Sequence, residues 1–134
     1  MQPPNEQMPE KLEKSLPMLC GAAVTGCFLT LAILAWLPAK AMTRTSLGGH
    51  AEHLIAYLAT AIVVGVAFRN RLSPGLQGAL LIVYAAILEV GQIYSPGRQA
   101  SLQDFLFSST GAVLGCLLLW TVRTVATSPR AAGR

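Results

Sequence analysis

Ile87 to Gly115, ILEVGQIYSPGRQASLQDFLFSSTGAVLG, is where an otherwise apolar chain concentrates its polar and turn-forming residues. Glu89 and Gln92 interrupt an apolar run, Ser95-Pro96-Gly97 supplies a turn, and Asp104 stands at the start of a second apolar run. A charged side chain at the centre of a membrane helix costs about 2.5 to 3.5 kcal/mol on insertion scales, and less near an interface. Residues kept at that cost mark a functional site, and the flanking runs read as two membrane helices joined by a short loop.

The rest of the chain agrees. Of 134 residues 53% are hydrophobic and only 12% are charged, the profile of one small polytopic membrane domain rather than a soluble one. The net charge of +4 does not signal nucleic acid, because the basic residues are scattered among inter-helix segments and form no stripe interleaved with aromatics. Cys20, Cys27 and Cys116 all lie in apolar runs without metal or redox spacing, so they read as packing residues rather than disulfide partners or thiol ligands.

In chain order, residues 1–15 are polar and proline-bearing and read as a disordered tail. Four apolar helices then occupy about 17–37, 50–68, 76–94 and 102–122, inside a membrane domain of residues 16–123, with a second tail over 124–134. Each is long enough to cross ~30 Å of hydrocarbon. Trp36 and Trp120, near helix ends, suit interface anchors, and Ser73-Pro74 is an N-cap followed by proline at the first helical position. Ala39-Lys40-Ala41 has the small-x-small form of a signal cleavage site, but the apolar run before it is longer than a secretory core and follows an acidic leader, so the first helix is expected to stay.

Lys11, Lys14, Arg69, Arg71, Arg123, Arg130 and Arg134 fall on one side of the four helices, and Lys40, Arg44 and Arg98 on the other. The positive-inside rule therefore predicts cytoplasmic termini and places His50, Glu52, His53, Glu89, Gln92, Arg98 and Asp104 at the extracytoplasmic end. His50, His53 and Tyr57 share a face of the second helix, as Glu89 and Gln92 do on the third. On the fourth, Asp104, Ser108, Gly111 and Gly115 recur at helical steps, and Gly111-x-x-x-Gly115 is a close-packing element. One polar cluster held by tightly packed helices is predicted.

These residues carry a family resemblance. His53-x-x-x-Tyr57, Glu89-x-x-Gln92, Pro96-Gly97-Arg98-x-x-Ser101-x-x-Asp104 and Gly111-Ala112-x-x-Gly115, in that order over residues 40–120, resemble the VanZ-like family of small bacterial membrane proteins, named for a member associated with teicoplanin resistance. Two features depart from its pattern. The family's Asp-Lys ahead of the histidine corresponds to Gly49 and His50, and its Asn after the aspartate corresponds to Ser108. The resemblance implies a multi-pass protein of the bacterial cytoplasmic membrane acting at the cell envelope, and implies no particular reaction.

Each candidate has a structural reading beside the functional one. Ser101-x-x-Asp104 is also a capping-box pattern. Arg98 could pair with Glu89 or Asp104, or clamp an anionic headgroup. Glu89 could be a packing ion pair, a general base or a ligand contact, and His53 is expected to hydrogen-bond Glu89 or Asp104 rather than to bind metal. Imidazole and carboxylate suit zinc, but no zinc-ligand spacing is present; no metal or cofactor is expected, and Tyr57, Tyr84 and Tyr94 read as packing or interface aromatics.

The functional expectation is recognition of an envelope component, namely an anionic lipid, a lipid-linked precursor or an amphiphilic glycopeptide, by Arg98, Glu89, Gln92, His53, Asp104 and Ser101. The first rival is an interfacial enzyme acting on a lipid-linked substrate with Glu89 or His53 as general base, Asp104 being the other catalytic candidate. A non-catalytic assembly protein, with a homo-oligomer or another membrane protein as partner, is the second rival. Transport is weaker, because four helices without an internal repeat would move substrate only as an oligomer.

Overall fold

A computed structural model describes residues 10–41, 46–69 and 71–127, with residues 10–14 described by backbone only. Among them are four long helices and no strand: α1 (Glu10–Trp36), α2 (Gly49–Ala67), α3 (Pro74–Gly91) and α4 (Leu102–Thr127). Short 3-10 turns follow α1 at Ala39–Ala41 and α3 at Gln92–Tyr94. All four helices are long and apolar enough to cross a membrane, over Ser15–Trp36, Gly49–Ala67, Pro74–Tyr94 and Leu102–Thr127. The chain is a multi-pass, all-helical membrane protein.

Local signals place the start of α3 well. Ser73 is the N-cap of α3, its Oγ accepting from Leu76 N at 3.2 Å, with Pro74 in the first turn. The third apolar run differs in its last turn, where the helix tightens at Gln92 and so turns Gln92 inward. Two ends differ from expectation. α1 begins at Glu10, inside the segment read as a tail, and α4 continues to Thr127. Apolar content marks where a span lies, but backbone hydrogen bonding carries a helix past it wherever Leu, Lys and Glu favour the conformation. The remainder of the first tail, Arg44, and residues 128–134 lie outside the described residues.

The core is sparse, as expected where lipid covers the outer faces: Leu31, Ala35, Tyr57, Ala61, Leu81, Ala85, Leu88, Ala112 and Cys116 are buried. α2 and α4 make the closest pair. A Cβ on Gly115 would sit 2.6 Å from Ala61 Cβ and 2.7 Å from the Leu58 carbonyl oxygen, and one on Gly111 would collide with the Leu54 carbonyl. The predicted small-residue element thus seats α4 on the α2 backbone, and van der Waals contact replaces the hydrophobic drive that lipid removes. α1 is the least enclosed, with 11% of its span buried against 28% to 39% in the others.

Two arginines join neighbouring helices through backbone carbonyls. Arg98 Nη2 donates to Leu34 O at 3.4 Å and to Ala35 O at 3.2 Å, in the last turn of α1. Arg123 donates to Gly65 O and, at 3.5 Å, to Arg69 O at the end of α2. The last carbonyls of a helix lack intrahelical donors and carry partial negative charge, so a guanidinium there satisfies both needs. Buried Gln77 also joins two helices through a carbonyl, here inside α2, its Nε2 donating to Ala61 O at 2.6 Å.

Candidate functional site

The loop between α3 and α4 sets one end of the bundle. Arg98 N donates to Ser95 O at 3.0 Å, closing a turn with Pro96 second and Gly97 third, and Gly97 has φ 76°. Proline fixes the negative φ that the second position needs, and glycine takes the positive φ of the third. The turn is tied to α1: Ser95 Oγ donates to Trp36 O at 3.0 Å and Ala39 N to Pro96 O at 3.3 Å. Together with Arg98, it leaves the C-terminal carbonyls of Leu34, Ala35 and Trp36 all occupied.

Beneath this loop the predicted polar cluster does assemble, but with different partners. Glu89, only 7% exposed, accepts from the backbone N–H of Ser101 at 2.6 Å through Oε1. Ser101 Oγ in turn accepts from Asp104 N at 3.2 Å. The capping box is therefore half formed: Ser101 caps α4, while its own N–H is met by Glu89 from α3 and not by Asp104. This frees the Asp104 carboxylate to turn towards α2, where Oδ1 lies 2.8 Å from His50 Nδ1. His50 is further held by stacking on Phe107, ring centroids 5.1 Å apart at 16°.

His53 does not hydrogen-bond Glu89 or Asp104 as expected. Its Nδ1 is 3.1 Å from Ser108 Oγ, and its Nε2 stands 4.0 Å from Asp104 Oδ2. One helical turn separates Asp104 from Ser108, so a single imidazole from α2 meets both. Among the described residues no ion pair joins Arg98 to Glu89 or Asp104, because the guanidinium has been drawn to α1. Among those residues, too, no three of His, Cys, Asp and Glu are placed to hold a metal ion.

The cluster lines two cavities that share Glu52, His53, Gln92 and Arg98. The inner one, about 80 Å³, is walled largely by Leu31, Leu34, Ala35, Ala85 and Leu88, with Tyr57, Glu89 and Ser108. The outer one, about 490 Å³, is walled by polar and small residues including Gln99, Ser101 and Asp104. Two buried side-chain nitrogens on residues that line both cavities have no partner among the described residues: Gln92 Nε2, on a side chain 3% exposed, and Arg98 Nε. A third buried orphan, Ser109 Oγ, lines neither cavity.

All the sequence-predicted ligand residues, Glu89, Gln92, Arg98, Ser101, His53 and Asp104, thus gather at one end of the bundle, while Gly111 and Gly115 serve packing. Tyr57 is buried on the inner cavity, Tyr84 donates to Phe28 O at 2.7 Å, and Tyr94 is exposed. Cys20, Cys27 and Cys116 are free thiols. Sequence reasoning gave Ser108 no contact with the histidine; its position four residues after Asp104 was the available signal.

Fold and site together define a four-helix multi-pass membrane protein with a polar-mouthed cavity at one end of the bundle. No protein-family model, curated protein or solved structure matches the chain.

Proposed function

We propose that the cavity binds the head of a membrane amphiphile, and that the protein is a VanZ-like component of the bacterial cytoplasmic membrane with cytoplasmic termini and an outward-facing site. The observation that carries the binding reading is the pair of buried donors without partners among the described residues, Gln92 Nε2 and Arg98 Nε, on two residues that line both cavities. A buried donor without an acceptor costs about 1 to 3 kcal/mol, which a ligand acceptor recovers. Phosphate, carboxylate and amide oxygens are such acceptors, and they are shared by anionic lipids, lipid-linked precursors and glycopeptides.

Shape supports an amphiphile. The outer cavity, about 490 Å³, falls within the usual ligand-pocket range and is polar, whereas the inner cavity is largely apolar. A head in the first and the base of a chain in the second match both linings. Arg98 offers Nε beside Gln92, while its Nη2 is held by α1. Placement outside the cell rests on the seven-to-three distribution of basic residues.

Melting of the detergent-purified protein with anionic phospholipid, an undecaprenyl-type diphosphate and teicoplanin tests the reading. A bound ligand at 100 times its Kd stabilises by about 2.7 kcal/mol, giving a concentration-dependent rise in Tm. Wild type should show the rise with at least one of the three, and Gln92→Met should lose it while remaining folded. No rise with any of them, or an equal rise in Gln92→Met, overturns the assignment.

A further inference from the structure

Ser108 behaves unlike the threonine hydroxyls of this bundle. Thr60, Thr110, Thr121 and Thr127 each donate to the carbonyl four residues earlier, at 2.8 Å, as hydroxyls in apolar helices commonly do. The Ser108 hydroxyl instead meets His53 Nδ1 at 3.1 Å. Ser108 is 2% exposed, yet it lines the inner cavity together with His53 and Gln92. The imidazole has Asp104 Oδ2 4.0 Å from its other nitrogen, and Asp104 is itself fixed by His50 at 2.8 Å.

We propose that Ser108 is a nucleophile, with His53 as its general base and Asp104 as the residue that positions the imidazole, and that the cavity cleaves an acyl ester of a membrane amphiphile. Nucleophile, base and positioning carboxylate are recognised by geometry and role, and this set spans two helices whose approach Gly111 and Gly115 fix. The fourth requirement is a donor for the oxyanion, and the amide of Gln92, a residue on the same cavity whose Nε2 has no partner among the described residues, supplies one. At 4.0 Å the carboxylate acts on a developing imidazolium through space, and catalytic contacts in a ligand-free site are commonly looser than in the working complex.

In the first half-reaction Ser108 Oγ bonds to the ester carbonyl carbon as its proton passes to His53 Nδ1. The carbonyl oxygen takes the negative charge and accepts from Gln92. The ester C–O bond then breaks, and His53 returns the proton to the departing alcohol. In the second, water gives a proton to His53 and attacks the acyl carbon; the acyl–Oγ bond breaks, Ser108 recovers the proton, and a carboxylic acid leaves. Ester and water become alcohol and acid, with no other reactant.

The substrate class rests on the binding reading, but the nucleophile does not, because it reacts with a small electrophile whether or not an envelope amphiphile binds. The test is an alkyl fluorophosphonate on the full chain in detergent, in which Oγ–P formation expels fluoride. Peptide mass mapping of the wild type should place one adduct on Ser108, a readout that needs no variant to fold. His53→Ala should slow labelling about 100-fold or more, the scale of general-base catalysis. Asp104→Asn should slow it about tenfold, with Asp104→Glu restoring most of the rate, a rescue that a packing role does not predict. No adduct, an adduct on another residue, or an undiminished rate in a folded His53→Ala overturns the proposal.

Discussion

Gln92 is the residue at which stability and binding oppose each other. Its Nε2 is buried without an acceptor among the described residues, and such a donor carries a desolvation cost that a ligand acceptor relieves. Gln92→Met keeps the length of the side chain and removes the orphaned donor. Its Tm without ligand should equal or exceed that of wild type, by a difference corresponding to about 1 kcal/mol, in the same melting experiment where its ligand response disappears. Glu89 is the opposite case, since its Oε1 is the acceptor for Ser101 N. Glu89→Gln retains an acceptor there, whereas Glu89→Ala strands a backbone donor, and denaturant titration should show Glu89→Ala less stable than Glu89→Gln by about 1 to 3 kcal/mol. That Glu89 and Gln92 belong to the polar cluster was legible from polar residues in an apolar run. Which atom Glu89 meets was not, because Ser101 N lies at the start of another helix, beyond the loop.

At the scale of elements, the α2–α4 pair and the attachment of α1 are built differently. The α2–α4 contact is backbone against backbone, so Gly115→Ala inserts a methyl group 2.6 Å from Ala61 Cβ. Overpacking of this kind costs about 1 to 3 kcal/mol, measurable as a lower midpoint in denaturing detergent. It should also disturb the Asp104–His50 and Ser108–His53 contacts, which cross the same interface. α1 hangs on hydrogen bonds to its carbonyls from Arg98, Ser95 and Tyr84. Arg98→Ala removes one of these ties, and amide exchange over the last turn of α1, around Leu34 to Trp36, should quicken while α2 and α4 stay protected. The glycine element was readable from its spacing. The use of Arg98 as a clasp on α1 was not, because an arginine in a polar loop offers no local sign of which acceptor it will reach.

For the whole molecule, the four spans and the proposed outward site make a topology that can be tested directly. In a background where Cys20, Cys27 and Cys116 are replaced by Ala, Gln99→Cys in the exposed loop before α4 should react with an impermeant maleimide on intact cells. Arg71→Cys, in the exposed loop before α3, should react only after permeabilisation. The reverse pattern inverts the orientation and places the cavity mouth in the cytoplasm.

The sequence by itself determined the four spans, the proline-glycine turn, the capped start of α3, the small-residue face of α4 and the membership of the polar cluster. Each follows from composition, spacing or turn chemistry within a few residues, where the cost of burying a charge or straining a backbone is set locally. Only the tertiary structure decided that Arg98 serves α1, that Glu89 meets Ser101 N, that Asp104 holds His50 and that His53 reaches Ser108. Those pairings depend on how far each helix is rotated and how closely its neighbour approaches. Several donors compete for several acceptors at similar strength, so packing chooses among them.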